Sequence, residues 1–472
     1  MSIHTEKFAE YLKYDVAREG QPLQRMVFVP HPLAGEPSTV LKQYVNGKDP
    51  TTGKPVMQEI IDALTKPLSV VETKTGISET KRVRLLEPDT EDNLRQLFNK
   101  NGWTDGLPIV LPTEDKVAEM LAGTNRSPDE VVGKMFWSYT VEQVAVNAVM
   151  AGAKPEYFPV ILALAASETP PLSTSTSSMA GMAVVNGPIR KAIGMNYEVG
   201  ALGPYNEANS TIGRAWGFIA RNCGGYQPWP ERYCGSVGNP LNFSNIVFAE
   251  NEERSPWKPF HVRKGFKEDE SVVSLFGTGW SKIDCMGAIT YRPLHEEALI
   301  LMKAFPPSTP KATFVMDPTA AWKTYREGFE TPEELAEWLK ENIKWTVKDY
   351  WATDYVRTFV MRDAQNGIEP YATWLRLPED ELIQPWLYGR GIETVVVGGE
   401  TNAFCQVYDM PYVRSISIDQ FMPNKTYKPA EPGKDDPFIN PVPGAVPIKP
   451  SEPKPPSKPS EPEPPSDDDC ST

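Results

Sequence analysis

The sequence predicts an α+β or α/β protein: a mainly helical first half, an α/β C-terminal subdomain and a disordered, acidic, proline-rich tail. Three observations predict it. Between residues 91 and 222, apolar residues recur at helical spacing, with capping residues at segment starts and glycine past several ends. Beyond residue 240 they gather instead into short β-type runs separated by helical segments. From Pro429 onward about a third of the residues are proline, and apolar density is too low to offset chain ordering.

Residues 1–90 are polar and irregular, with "VFVPHPLAGEP" as one strand and turn, and read as an N-terminal arm or small lobe. Residues 91–300 form the main domain. Within it "TEDKVAEMLAG" starts on an N-cap threonine and closes on glycine. "TVEQVAVNAVMAG" carries a Thr140–Gln143 capping-box spacing. "KPEYFPVILALAAS" predicts a buried helix, and "NEANSTIGRAWGFIARNCGG" a further one. The serine-rich "PLSTSTSSMAG" (171–181) reads as a flexible loop. Strands are expected at "NFSNIVFAE", "SVVSLFG", "KATFVMD" and "IETVVVGG", the last two in an α/β subdomain over 301–428. Between them "TPEELAEWLKENI" has the threonine, proline and glutamate of a helix start. The foldable part exceeds the roughly 250–300 residues at which one core stops growing, so two subdomains are expected.

A net charge of −14 argues against nucleic acid as a partner and suits a protein that handles small molecules. No apolar stretch approaches the ~20 residues of a membrane span, and no signal-peptide core is visible. The cytoplasm is the expected location. The five cysteines (Cys223, Cys234, Cys285, Cys405 and Cys470) include no CxxC pair and are expected as reduced thiols. The four histidines are scattered without HxH or HExxH spacing, so no metal site is predicted. No dinucleotide or P-loop glycine pattern is present, and no cofactor is named by the sequence.

Four stretches carry residues suited to chemistry, each with a plain structural alternative. "NGWTDGLPIVLPT" holds Asp105 in a tight turn, either as a turn residue or as an acid at a cleft edge. "NGPIRKAIGMNYEVGALGPYNEANSTIGRA" supplies Asn186, Asn206 and Asn209 beside helix starts. They serve as caps, or as donors that hold an anionic group. "FAENEERSPWKPFHVRKGF" packs Glu250, Trp257 and His261 into a strand-to-loop passage. It is a solvated charged loop, or a site with Glu250 as a desolvated acid and His261 as a proton carrier. "VVVGGETNAFC" delivers Cys405 after a strand end and two glycines. There the thiol is either core filling or a nucleophile of lowered pKa. Cys223 in "RNCGG" and Cys234 in "RYCGS" are weaker candidates of the same kind.

Five segments, "WTDGLPIVLPTEDKVAEML", "VEQVAVNAVMAGAKPEYFPVILA", "VVNGPIRKAIG", "GALGPYNEANSTIGRA" and "FAENEERSPWKPFHV", fall in one order over about residues 90–280. Together they resemble a bacterial family encoded beside, or fused to, thiol or selenol proteins that carry a UGSC motif. The resemblance implies a soluble enzyme system with thiol or redox chemistry nearby, and a thiol or selenol protein as a partner. "VVVGGETNAFC" is distantly similar to the strand and loop that present that motif, but Ala403-Phe404 replace Gly-Ser and Cys405 alone remains.

The combined expectation is an oligomeric enzyme that cleaves or reduces a carbon–heteroatom bond, carbon–sulfur among them, in a small organic substrate. Cys405 would act as nucleophile, Glu250 and His261 would move protons, and Asn186, Asn206 and Asn209 would hold a substrate anion. Asp105 and Trp257 would shape the pocket. Two alternatives stand beside it: a non-catalytic subunit that binds the thiol partner, and a Glu/His-dependent hydrolase or lyase with no covalent thiol step.

Overall fold

A small N-terminal lobe comes first. Strands β1 (Ser2–Thr5) and β2 (Met26–Val29) pair in parallel, joined through α1 (Ala9–Arg18). Helices α2 (Ser38–Asn46) and α3 (Val56–Thr65) follow, and Val27, Val29 and Val56 make the lobe's core with Tyr44 and Ile60. The computed structural model describes residues 1–18, 20–33, 36–73, 84–172, 178–225, 237–279, 282–285, 292–307, 310–389 and 391–423. The tail over 429–472, Cys234 and Cys470 lie outside the described residues.

Helices α4 (Glu91–Lys100) and α5 (Glu114–Leu121) start on Thr90 and Thr113, whose hydroxyls accept from Asn93 and Lys116 backbone N–H groups. The hairpin β3 (Val131–Lys134) and β4 (Ser138–Thr140) leads into α6 (Val141–Ala151). This helix begins with both arms of the Thr140–Gln143 capping box and ends at Gly152, φ +80°. Helix α7 (Phe158–Ala166) is buried from Phe158 to Ala165, as its unbroken apolar run requires.

Strand β5 (Ala180–Asn186) then begins inside the stretch read as a flexible loop, and all seven of its residues are buried. Helices α8 (Ile189–Ala192) and α9 (Glu207–Phe218) follow, the latter running into a π turn over Ile219–Cys223. Strand β6 (Ile246–Ala249), α10 (Phe260–Arg263), β7 (Val272–Gly279) and β8 (Lys282–Cys285) come next. Helix α11 (Leu294–Met302), β9 (Lys311–Met316), α12 (Pro318–Arg326) and α13 (Pro332–Asn342) form the α/β segment, α13 starting with a complete Thr331–Glu334 capping box.

Two short strands, β10 (Trp345–Thr346) and β11 (Leu382–Ile383), pair antiparallel. They bracket α14 (Val347–Ala352), α15 (Asp354–Phe359), α16 (Met361–Gln365) and α17 (Tyr371–Trp374), a helical lobe centred on Tyr350, Trp351 and Trp374. The chain ends its regular structure with β12 (Gly391–Val396), β13 (Cys405–Tyr408) and β14 (Tyr412–Ser417).

Two four-stranded mixed sheets organise the core, in the orders β14-β7-β5-β6 and β12-β9-β13-β8. In the first, β5 and β6 run parallel; in the second, β9 and β12 do. Alternate residues of each strand serve different layers. Ala183, Val185, Val247, Ala249, Val273 and Leu275 face the helices α6, α7 and α9. Met182, Val184, Ile246, Phe248 and Phe276 face the other way and meet Val315, Val395, Val397 and Tyr408 of the second sheet. The far side of that sheet, with Phe314, Met316, Val396 and Val407, packs on α11, α12 and α13. The result is a helix–sheet–sheet–helix sandwich. Because β14 returns to the first sheet, the boundary expected near residue 300 does not separate the two sheets, and Met1–Lys425 form one unit. Among the described residues no helix is long and apolar enough to cross a membrane.

Candidate active site

Parallel pairing of β5 with β6 places two strand ends side by side, the position at which α/β sheets present functional groups. Asn186 is the last residue of β5. Glu250 follows β6 directly, and its N–H continues the pairing by donating to Val185 O. Both side chains are buried, and they touch: Asn186 Nδ2 donates to Glu250 Oε2 at 2.5 Å. The same amide donates to Glu252 Oε1 at 2.9 Å, so one nitrogen bridges two carboxylates.

The turn after β5 completes the cradle. Gly187 sits at φ +82°, and a Cβ there would lie 2.2 Å from Glu270 O, so only glycine fits. Its N–H donates to Glu252 Oε1 at 2.8 Å. One helical turn on, Arg190 reaches back with its whole guanidinium. Nε donates to Gly187 O, Nη1 to Glu250 O and Glu253 Oε2, and Nη2 to Glu252 Oε2 and Glu253 Oε1. The donors expected here to hold an anionic group, the Asn186 amide and the Gly187 N–H, are taken by the chain's own Glu250 and Glu252. Phe260 N–H gives Glu250 Oε2 its second bond, at 2.6 Å.

His261, next along the chain, is fully buried, with Nδ1 at 4.0 Å from Glu252 Oε1. Neither ring nitrogen has a hydrogen-bond partner in good geometry, although the backbone of Glu268 and Lys267 lies close enough to favour the charged ring. Burial pushes the Glu250 carboxyl up, and the nearby Glu252 charge adds to this against Arg263, Phe260 N–H and Asn186. Burial likewise lowers His261, and the attraction of Glu252 offsets only part of it. Both groups are thus moved toward their neutral forms. Glu253 shows the opposite balance. Burial would raise it, but Arg190 and Lys191 bring it down to about 2.

The other residues expected in a site lie elsewhere or have their polar atoms committed. Cys405 does not stand at a loop mouth: it opens β13, paired with Met316 and Cys285, and its side chain is buried in the core against α11–α13. The loop before it folds back instead, with Phe404 N–H donating to Asp317 Oδ2 at the start of α12. Trp257 belongs to that same core and donates its indole N–H to Phe329 O, so it anchors the 250–259 loop rather than lining the carboxylate cluster. Asp105 is clasped by Arg214 through both oxygens. Asn206 donates to Gly200 O, Ala201 O and Gly203 O, and Asn209 to Asn196 O and Ala201 O. Both amides thereby staple the 196–203 loop. Cys223 is buried and accepts from Asn147 Nδ2 at 3.2 Å.

The structure thus brings together Asn186, Glu250 and His261 from the expected set. It adds Arg190 and Glu252, which the sequence did not single out. Their only signal was position: Arg190 lies one helical turn beyond Asn186, and Glu252 two residues beyond Glu250 on a strand-to-loop passage. Among the described residues no group of three or more His, Cys, Asp or Glu side chains is placed to hold a metal ion. Compared with known proteins, the chain matches no family model and no curated protein sequence.

Proposed function

We propose that this chain is a soluble, cytoplasmic enzyme that cleaves a carbon–heteroatom bond of a small organic molecule by general acid–base catalysis, as a hydrolase or lyase with no covalent thiol step. The observation that carries the reading is the pairing of buried Glu250 and His261 around one fixed carboxylate, Glu252, with burial favouring the neutral form of each. In this reading His261 takes a proton from water or from the substrate, and Glu250 gives its own to the departing heteroatom. The site then holds an imidazolium and a carboxylate, and returning one proton from His261 to Glu250 resets it. Arg190 and Asn186 are positioning residues that fix Glu252 and Glu250. The likeness to the UGSC-associated family belongs to the same proposal, with the thiol partner acting elsewhere in the system.

The test is turnover of the purified full chain on a panel of small amides, amidines, thioethers and esters, with Glu250→Gln, His261→Asn and Cys405→Ala compared for folding by circular dichroism. Loss of Glu250 or His261 is expected to lower kcat by about 10²–10⁴-fold, and a folded Cys405→Ala to keep it. Turnover that survives in Glu250→Gln and vanishes in folded Cys405→Ala would replace this reading with the thiol-assisted one.

A further inference from the structure

The cluster at the ends of β5 and β6 has an asymmetry in its unused hydrogen-bonding groups. Glu252, held by Arg190 and the Gly187 N–H, can only accept, so the bond it takes from Asn186 Nδ2 fixes the amide's orientation. Asn186 Oδ1 is then left buried with no donor, in a side chain with 0% exposure. His261 is also at 0% exposure, its ring nitrogens have no hydrogen bond in good geometry although the backbone of Glu268 and Lys267 lies close, and Nδ1 lies 4.0 Å from Glu252 Oε1. Asn251, on the same loop, repeats the pattern. Its Nδ2 donates to Gly398 O, which fixes the amide, and its buried Oδ1 meets no donor. Buried polar atoms without partners are rare, and each costs stability.

Four of the cations nearby are engaged. Arg190 is spent on five acceptors. Lys191 pairs with Glu253, Arg263 with Glu333 and Thr394 O, and Lys264 with Glu393. The backbone N–H groups of Gly187 and Phe260 are spent on Glu252 and Glu250. What remains toward a ligand is weighted to acceptors: an amide carbonyl, the accepting nitrogen of the imidazole and a carboxylate edge. Of Asn186, His261 and Glu252, only Glu252 is partly exposed, its side chain 14%.

We infer that the site takes a small, planar, N–H-rich group of the amidine, guanidine or urea kind, held by Asn186 Oδ1, His261 and Glu252, and not a carboxylate or phosphate. This rests on the acid–base reading for its place in a reaction, and it narrows the heteroatom of the cleaved bond to nitrogen. The recognition itself stands on geometry alone.

The experiment uses the full chain with acetamidinium chloride, methylguanidinium chloride and urea at millimolar concentration, against sodium acetate and inorganic phosphate at equal ionic strength. The expected result is a saturable rise in Tm, by about 2 °C or more, with at least one N–H-rich probe and none with the anions. A second measurement needs no variant. With four histidines in the chain, ¹⁵N-histidine NMR resolves the ring nitrogens, and one histidine alone is expected to shift with the N–H-rich probe. Saturable stabilisation by acetate or phosphate, or no saturable effect from all three N–H-rich probes, overturns the inference. Probe binding together with unimpaired turnover in Glu250→Gln would sink the acid–base reading and leave this one standing. Turnover that requires Glu250 and His261 in a protein that binds none of the three does the reverse.

Discussion

Replacing Arg190 by methionine tests whether the carboxylate cluster is held from one point. The guanidinium is 3% exposed and makes five hydrogen bonds, to Gly187 O, Glu250 O, both oxygens of Glu253 and Glu252 Oε2. The arms differ in value. Glu253 has a side chain 40% exposed, so its share is screened to about 0–1 kcal/mol. Glu252 is 14% exposed, and removing the partner of a buried charge costs roughly 3–5 kcal/mol because the remaining charge stays desolvated. Methionine keeps the stem's packing, so the loss reports on the polar contacts. The expected destabilisation is about 3–5 kcal/mol, a large part of the roughly 5–15 kcal/mol of a native protein. Urea unfolding followed by tryptophan fluorescence and by circular dichroism, with coincident transitions required, gives the number. Glu252→Gln and the double variant close the cycle, with a coupling of about 1–3 kcal/mol expected. A loss below about 1 kcal/mol, or additivity in the double variant, would show that Arg190 is a surface-type pair and that the cluster is held by something else.

Two further outcomes follow from the same chemistry. Glu250 is raised above its ordinary 4.5, so the stability it contributes is complete below that value and is lost as pH rises through its folded value. His261 is lowered from 6.5, so its contribution is present above 6.5 and is lost as pH falls through its folded value. Unfolding free energy is therefore expected to fall on both sides, with Glu250→Gln flattening the alkaline limb and His261→Gln the acid limb. A pH-independent difference between either variant and the parent contradicts the burial assignments. Cys405, 2% exposed in the core, is expected to resist iodoacetamide in the native chain and to label fully in urea. Peptide mapping that finds Cys405 alkylated before unfolding would return it to the list of reactive groups.

Much of the fold could be read from local signals. The capping boxes at Thr140–Gln143 and Thr331–Glu334 formed as their spacing predicts, because caps are settled within four residues. The parallel pair β9 and β12 follows from apolar runs with helices between them. Strand β5 was hidden for a physical reason. It lies between two layers, so both faces are apolar or small and the alternation that marks a half-exposed strand is absent. The join of the two sheets was also illegible, since β14 reaches the first sheet only after the chain has built the second.

The site divides along the same line. Glu250 was visible because a carboxylate directly after an apolar run is carried toward the interior, and His261 because its loop is closed by Pro256 and Trp257. Cys405 misled for the reverse reason. Gly398 and Gly399 do end a strand, but the six-residue passage to Cys405 turns back through Asp317 and puts the thiol in the next strand's core. Arg190 could not be placed from the sequence, since four of its five acceptors lie about sixty residues away and the parallel register of β5 and β6 brings them together. That register also fixes the sign of the site. The same pairing that buries Glu250 beside Asn186 spends the Gly187, Phe260 and Arg190 donors on the chain's own oxygens, and so leaves acceptors for whatever enters. A site assembled this way costs folding energy at Glu250, His261 and Asn186 Oδ1, where apolar side chains of similar volume would not. A ligand that donates to those atoms recovers part of that cost on binding, which is why affinity for N–H donors and the two-sided loss of stability with pH are expected from one arrangement.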